Sequence, residues 1–236
     1  MRYQGGKHRQ AKKFAPVLIE ALRASGGAFI EPFVGGFNLV PHLGGEFDCY
    51  CSDSHRGLIN LWQALQAGKF DPPTTVSREL HAELKTKRGT DPLSVFVSFV
   101  CSFGGAEWTG FATGKINGKQ YDFVRGGRES CLRKAKHMER VRFSCCDYQR
   151  IGASPGDVVY ADPPYEGTAG YRAQSFQRSE FEAWCQQQKQ AGARVFASEY
   201  QIAPGWEPVV TLHLPAVINN IHRPYEKRAE YLLELK

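Results

Sequence analysis

The stretch Asp157-Val158-Val159-Tyr160-Ala161-Asp162-Pro163-Pro164-Tyr165 decides the fold and points at the chemistry. Val158 to Ala161 run apolar without a break, as a strand does when a parallel sheet buries both of its faces. The strand then delivers an acid, two prolines and an aromatic to one edge of that sheet. Each proline fixes its φ at about −65° and supplies no backbone donor, so the turn is stiff.

Working outward, similar β-rich runs occur at 28–30, 47–52, 141–145, 194–198, 208–214 and 230–235, which with 157–161 predict seven strands. Apolar residues recur at helical spacing over 11–24, 58–67, 128–140 and 179–191, and Gly26-Gly27 stop the first helix. Strands alternating with helices predict an α/β protein: a Rossmann-like, seven-stranded, largely parallel sheet with helices on both faces. The interval 69–127 breaks the alternation with Pro72-Pro73, helical patterns at 80–87 and 92–103, and then glycines interleaved with aromatics and cations. It reads as a small helix-and-loop insertion into a domain made of 1–68 and 128–236.

With 236 residues, 42% hydrophobic and 23% charged, the chain should bury roughly three quarters of its unfolded surface. A disordered tail or a fibre is excluded. The most apolar stretch, 95–103, is interrupted by Ser98, Cys101 and Ser102 and falls short of the roughly 20 residues that span a bilayer, so no membrane is expected as partner. Residues 2–13 are basic and polar, unlike a secretory signal. Seven cysteines with no Cys-x-x-Cys pair suggest reduced thiols in a cytoplasmic protein, with neither a zinc site nor a disulfide framework.

Thirty Lys plus Arg against 24 Asp plus Glu give a net charge of +6. The cations cluster: residues 1–14 hold five and no acid, and 115–142 hold nine (Lys115, Lys119, Arg125, Arg128, Arg133, Lys134, Lys136, Arg140, Arg142) against three acids. Such clustering suits a polyanion.

Three places carry chemistry. After the first strand, Glu31-Pro32-Phe33-Val34-Gly35-Gly36 sets an acid before a glycine pair, where a ligand can approach the backbone. The second strand ends in Asp53, and an acid at that edge can accept from both hydroxyls of a ribose. The third is the acid of the opening stretch. A nucleobase amine is a poor nucleophile because its lone pair is delocalised; Asp162 and a backbone carbonyl accepting from it would favour a tetrahedral nitrogen, with Tyr165 offering a face on which the base stacks.

Tyr3-Gln4-Gly5-Gly6-Lys7, Glu31 to Gly36, Asp53, an insertion, and then Asp162-Pro163-Pro164-Tyr165 resemble, in that order and nearly end to end, the Dam-type (class α) DNA adenine-N6 methyltransferases. The resemblance implies a site-specific methyltransferase using S-adenosylmethionine on double-stranded DNA, in the cytoplasm of a bacterium or phage-infected cell; a monomer is expected, with an oligomer left open. It implies no metal. It assigns Asp162, Pro163, Pro164 and Tyr165 to catalysis. To the cofactor it assigns Tyr3, Gly5, Gly6, Lys7, Glu31 (the ammonium), Pro32, Phe33, Gly35, Gly36, Asp53 (the ribose), Asp147 (the adenine amine), Tyr148 and Asp162. The insertion corresponds to the target-recognition region, with Lys115, Lys119, Arg125 and Arg128 along DNA, and Arg223, Lys227 and Arg228 in the polar loop before the last strand as further DNA contacts.

One departure stands out: Ser198-Glu199-Tyr200 sets an acid where this family commonly has Asn. Two rivals remain open. One is an amino-methyltransferase of cytosine N4 or RNA; the other is a weak or inactive relative that binds DNA to block a nuclease.

Overall fold

Val158 and Tyr160 face one hydrophobic core, whereas Val159 and Ala161 face another. This period of two divides every central strand: Phe29 from Ile30, Phe196 from Val195 and Ala197, and Leu232 from Leu233. The sheet is therefore covered on both sides. The computed structural model describes residues 1–116, 119–164, 176–213 and 229–236, with 115–116 and 119–120 described by backbone alone.

In chain order the elements are α1 (Ala11–Ser25), β1 (Phe29–Glu31), β2 (Cys49–Asp53), α2 (Arg56–Gln66), α3 (Arg78–Lys87), α4 (Pro92–Val100), β3 (Lys115–Ile116), β4 (Lys119–Gln120), α5 (Phe123–Ala135), β5 (Val141–Cys145), β6 (Val158–Ala161), α6 (Arg178–Gln190), β7 (Arg194–Glu199), β8 (Trp206–His213) and β9 (Ala229–Leu235). Seven strands form one sheet in the order β5-β2-β1-β6-β7-β9-β8, and β3 pairs with β4 separately. The five strands from β5 to β7 are parallel, while β9 is antiparallel to both of its neighbours, so the sheet is mixed at one edge. Phe181, Trp184 and Cys185 of α6 belong to one core; α1, α2, α4 and α5 contribute to the other. No helix among the described residues is long and apolar enough to cross a membrane.

All seven predicted strands are present. α5 departs from expectation: it starts at Phe123 rather than 128 and ends at Ala135 rather than 140. Asp122 caps it, accepting from the Arg125 N–H at 2.9 Å. Gly126-Gly127 lie inside the helix, and a Cβ on Gly127 would fall 2.3 Å from Val100 Cγ1. Glycine there lets α5 approach α4. In turn, α4 stops at Val100 rather than 103, because Gly104 and Gly105 beyond it take φ of +69° and +71°. Its residues Ser94 to Val100 are all buried, and its apolar side chains share the sheet's own core, so among the described residues the insertion has no separate core.

Where β1 and β6 begin, Gly27 and Gly156 meet closely: a Cβ on Gly27 would lie 2.2 Å from the Gly156 carbonyl oxygen. Backbone cannot give way as a side-chain tip can. Gly27→Ala is expected to destabilise the protein by about 1–3 kcal/mol, read as a lowered thermal midpoint; an unchanged midpoint would mean that this contact does not set the spacing of the two strands.

Candidate functional site

The chain reverses its winding between β1 and β6, and open α/β sheets bind ligands beyond the carboxyl ends of the strands at such a point. Glu31 ends β1, Asp53 ends β2, Asp147 follows β5 and Asp162 follows β6. All four line one cleft of about 810 Å³. Tyr3, Gly5, Gly6, Lys7, Pro32, Phe33, Gly35, Gly36, Tyr148, Pro163 and Pro164 line it too, so residues scattered over the sequence come together as expected. Tyr165 lies outside the described residues.

The glycine turn is preformed. Asp53 accepts from the Gly35 N–H at 3.0 Å with one oxygen and from the His55 N–H at 2.8 Å with the other. Trp62 Nε1 donates to the Gly35 carbonyl at 2.9 Å, and Lys134 Nζ donates to the Gly36 carbonyl and, at 2.8 Å, to Asn38 Oδ1. Gly35 takes φ +42°, and a Cβ there would meet the Tyr3 ring at 2.8 Å.

Lys134, one of the clustered cations, is thus buried beneath this turn. Burial depresses its ammonium from 10.5 to about 8. Between those values the unfolded chain binds a proton that the folded chain does not, so this lysine makes stability rise with pH over that interval. Lys134→Met should flatten that part of the stability-versus-pH curve; an unaltered slope would refute the assignment.

Glu31 is buried, and its Oε2 has no hydrogen-bond partner among the described residues. Burial first, then the nearby charges of Asp162 and Asp53, raise its carboxyl well above the ordinary range, with Lys134 opposing. An unsatisfied buried acceptor costs about 1–3 kcal/mol. A ligand bringing a cationic donor would relieve that cost.

Asp162 keeps 17% side-chain exposure at the floor of the cleft. Its Oδ1 accepts from Ser198 at 2.9 Å and sits 3.1 Å from Lys7 Nζ. Burial raises its pKa, while Lys7 and Ser198 pull it back. Lys7 is itself raised, because the carboxylates of Asp162 and Glu230 outweigh its burial. The resemblance led to the expectation of Lys7 on a cofactor; here it lines the cleft while bridging these two carboxylates. Glu199 is matched by Arg178 at the start of α6, which also holds Glu182 at 2.9 Å.

Sequence reasoning missed the insertion's share in the cleft: Arg88, Gly89, Thr90, Ala106, Glu107, Trp108 and Thr109 line it. His55 Nδ1 accepts from the Leu58 N–H at 3.2 Å and caps α2. Its proton therefore sits on Nε2, which donates to Glu107 Oε1 at 2.8 Å and ties the insertion to the turn after Asp53. Nothing short of the fold reveals that pair, 52 residues apart.

Among the expected DNA contacts, Arg125 is exposed and pairs with Glu129 at 2.9 Å. Arg128 is not an open cation: it holds Asp71 at 2.6 Å and the Pro72 carbonyl, clamping the insertion's start to α5. Lys115 lies on β3 and Lys119 on β4, which pair antiparallel. Arg223, Lys227 and Arg228 lie outside the described residues. Phe103 is 71% exposed, three residues before the cleft-lining Ala106. Among the described residues, no group of three His, Cys, Asp or Glu could hold a metal ion. No family model matches the chain, and no curated protein matches it.

Proposed function

We propose that the chain is a site-specific DNA adenine methyltransferase that moves a methyl group from S-adenosylmethionine to N6 of an adenine flipped out of double-stranded DNA. The observation that carries this reading is the meeting, in one cleft, of the stiff Asp162-Pro163-Pro164 turn with a buried Glu31 oxygen that has no donor among the described residues. Glu31 suits an ammonium group, Asp53 the two hydroxyls of a ribose, and Asp147 an exocyclic amine. Gly35 and Gly36 leave the turn bare of side chains where a Cβ would strike Tyr3. When bound, S-adenosylmethionine supplies an electrophilic methyl group on a sulfonium cation, which a cleft lined by several carboxylates favours.

Asp162 accepts from the target amine, and the Pro163 carbonyl is the second acceptor. Two acceptors on one side draw the nitrogen toward a tetrahedral shape and free its lone pair. A nitrogen that has accepted a methyl group would be acidic, and the Asp162 carboxylate, whose pKa burial raises, would be placed to take the proton it loses. Proline at both following positions keeps competing N–H donors away.

The exposed Phe103 ring and the exposed Arg125 at the start of α5 suit a duplex with unstacked bases. Phe103→Ala is expected to weaken DNA binding by roughly tenfold, the loss of one base–aromatic stack, with cofactor affinity unchanged; fluorescence anisotropy and calorimetry check the two halves.

The decisive test is incubation of the protein with unmethylated genomic DNA and methyl-labelled S-adenosylmethionine, followed by digestion to nucleosides. Labelled N6-methyldeoxyadenosine is the expected product. Label in N4-methyldeoxycytidine, or none with DNA still bound, would overturn the reading.

A further inference from the structure

Glu230 takes no part in the chemistry above, yet it anchors the charge network beneath the cleft. It is wholly buried on β9, opposite Leu212 of β8, where an unpaired carboxylate would be costly. Gln10 Nε2 donates to its Oε2 at 2.6 Å, and Lys7 Nζ stands 2.9 Å from its Oε1. The lysine contact is an ion pair lacking the alignment of a full hydrogen bond. On its other side the same ammonium meets Asp162 Oδ1 at 3.1 Å. Ser198 donates to that oxygen at 2.9 Å and accepts from the Tyr160 hydroxyl at 3.1 Å. Lys7 and Asp162 line the cleft, and Glu230 does not.

Asp162 alone would give Lys7 a counter-ion, so a second carboxylate behind it calls for a reason. Buried ion pairs are often replaceable by apolar groups without loss of stability, and stability is therefore a poor one. Geometry is a better one. A lysine ammonium on its flexible stem can point many ways, and between two carboxylates it has one position, which in turn fixes the Asp162 carboxylate through Oδ1.

We infer that Glu230 is a positioning residue: it holds the Lys7 ammonium from behind and so sets the orientation of the Asp162 carboxylate toward the cleft. Its part in turnover rests on the methyltransferase reading, whereas its restraint of Lys7 does not. Glu230→Gln keeps the shape and the Gln10 neighbour but removes the charge. It is expected to lower kcat about 10- to 100-fold, as small misplacements in an active site do, with KM for cofactor and for DNA within about twofold of wild type.

The restraint itself is read by nitrogen-15 NMR. In wild type the Lys7 ζ-ammonium should give a slowly exchanging cross-peak, assigned by its loss in Lys7→Arg, and Glu230→Gln should broaden it into solvent exchange. Should Glu230→Gln fail to fold, Gln10→Leu, which releases Oε2 and leaves the charge, should give a smaller change of the same kind in both readouts. An unchanged kcat in an active enzyme, or an unchanged cross-peak, overturns the proposal. If wild type transfers no methyl group, the methyltransferase reading falls, and the cross-peak alone decides the restraint.

Discussion

Asp162→Ala is expected to abolish methyl transfer, by at least about 1,000-fold in kcat, as loss of a charged group aligned on the reacting atom does. The fold should survive. Lys7 keeps Glu230 at 2.9 Å as counter-ion when Asp162 is removed, and Ser198 keeps the Tyr160 hydroxyl at 3.1 Å, so neither is left alone in the interior. Asp162 also retains 17% exposure, and the space vacated opens onto the cleft rather than into a sealed core. The checks are label incorporation for turnover, the thermal midpoint for the fold and titration calorimetry for the cofactor. Transfer at near wild-type rate would remove Asp162 from catalysis.

Glu31→Gln should move stability and binding in opposite directions. In the ligand-free protein a buried carboxylate whose Oε2 has no partner among the described residues is a burden, and a neutral amide of the same shape lightens it, so the thermal midpoint should rise. Cofactor binding should weaken by about 2–5 kcal/mol, roughly 30-fold or more, the usual loss when one member of a buried charged pair is removed. The pH dependence has a definite sign. Because the folded carboxyl is raised above 4.5, its contribution to stability is whole below that pH and is lost as pH climbs toward the raised value. An ammonium ligand favours the carboxylate, so binding releases a proton and affinity rises with pH over the same interval. In Glu31→Gln both slopes should vanish. A variant that binds cofactor as tightly as wild type would assign the ammonium elsewhere.

Strand positions were readable because each central strand is apolar on both faces, and the site acids because they stand at strand ends: Glu31, Asp53 and Asp162 needed only the sheet to bring them together. Position along a helix was less legible. The apolar spacing starts the helix at 128, leaving Gly126-Gly127 in the insertion, and only the Val100 side chain packed against Gly127 explains why glycine sits inside α5. Charge was the least legible. Lys134 and Arg128 read as cations on a DNA-facing surface, but one is buried under the Gly36 carbonyl and the other clamps Asp71. A charged side chain has no sequence mark that separates a solvated role from an internal one. Its partner decides that, and for Lys7, His55 and Arg178 the partner lies on another element.

Gln10 and Glu230 stand 220 residues apart along the chain. During synthesis the segment bearing Lys7 and Gln10 emerges well before β9, which carries their carboxylate. Contacts that span so much sequence form late and are slow to close. A nascent chain can therefore assemble β1, β2, β5 and β6 before the lysine beside Asp162 has its rear counter-ion. The cleft gains this part of its charge balance only when β9 inserts beside β7, so premature termination upstream of β9 would leave Lys7 without its rear carboxylate.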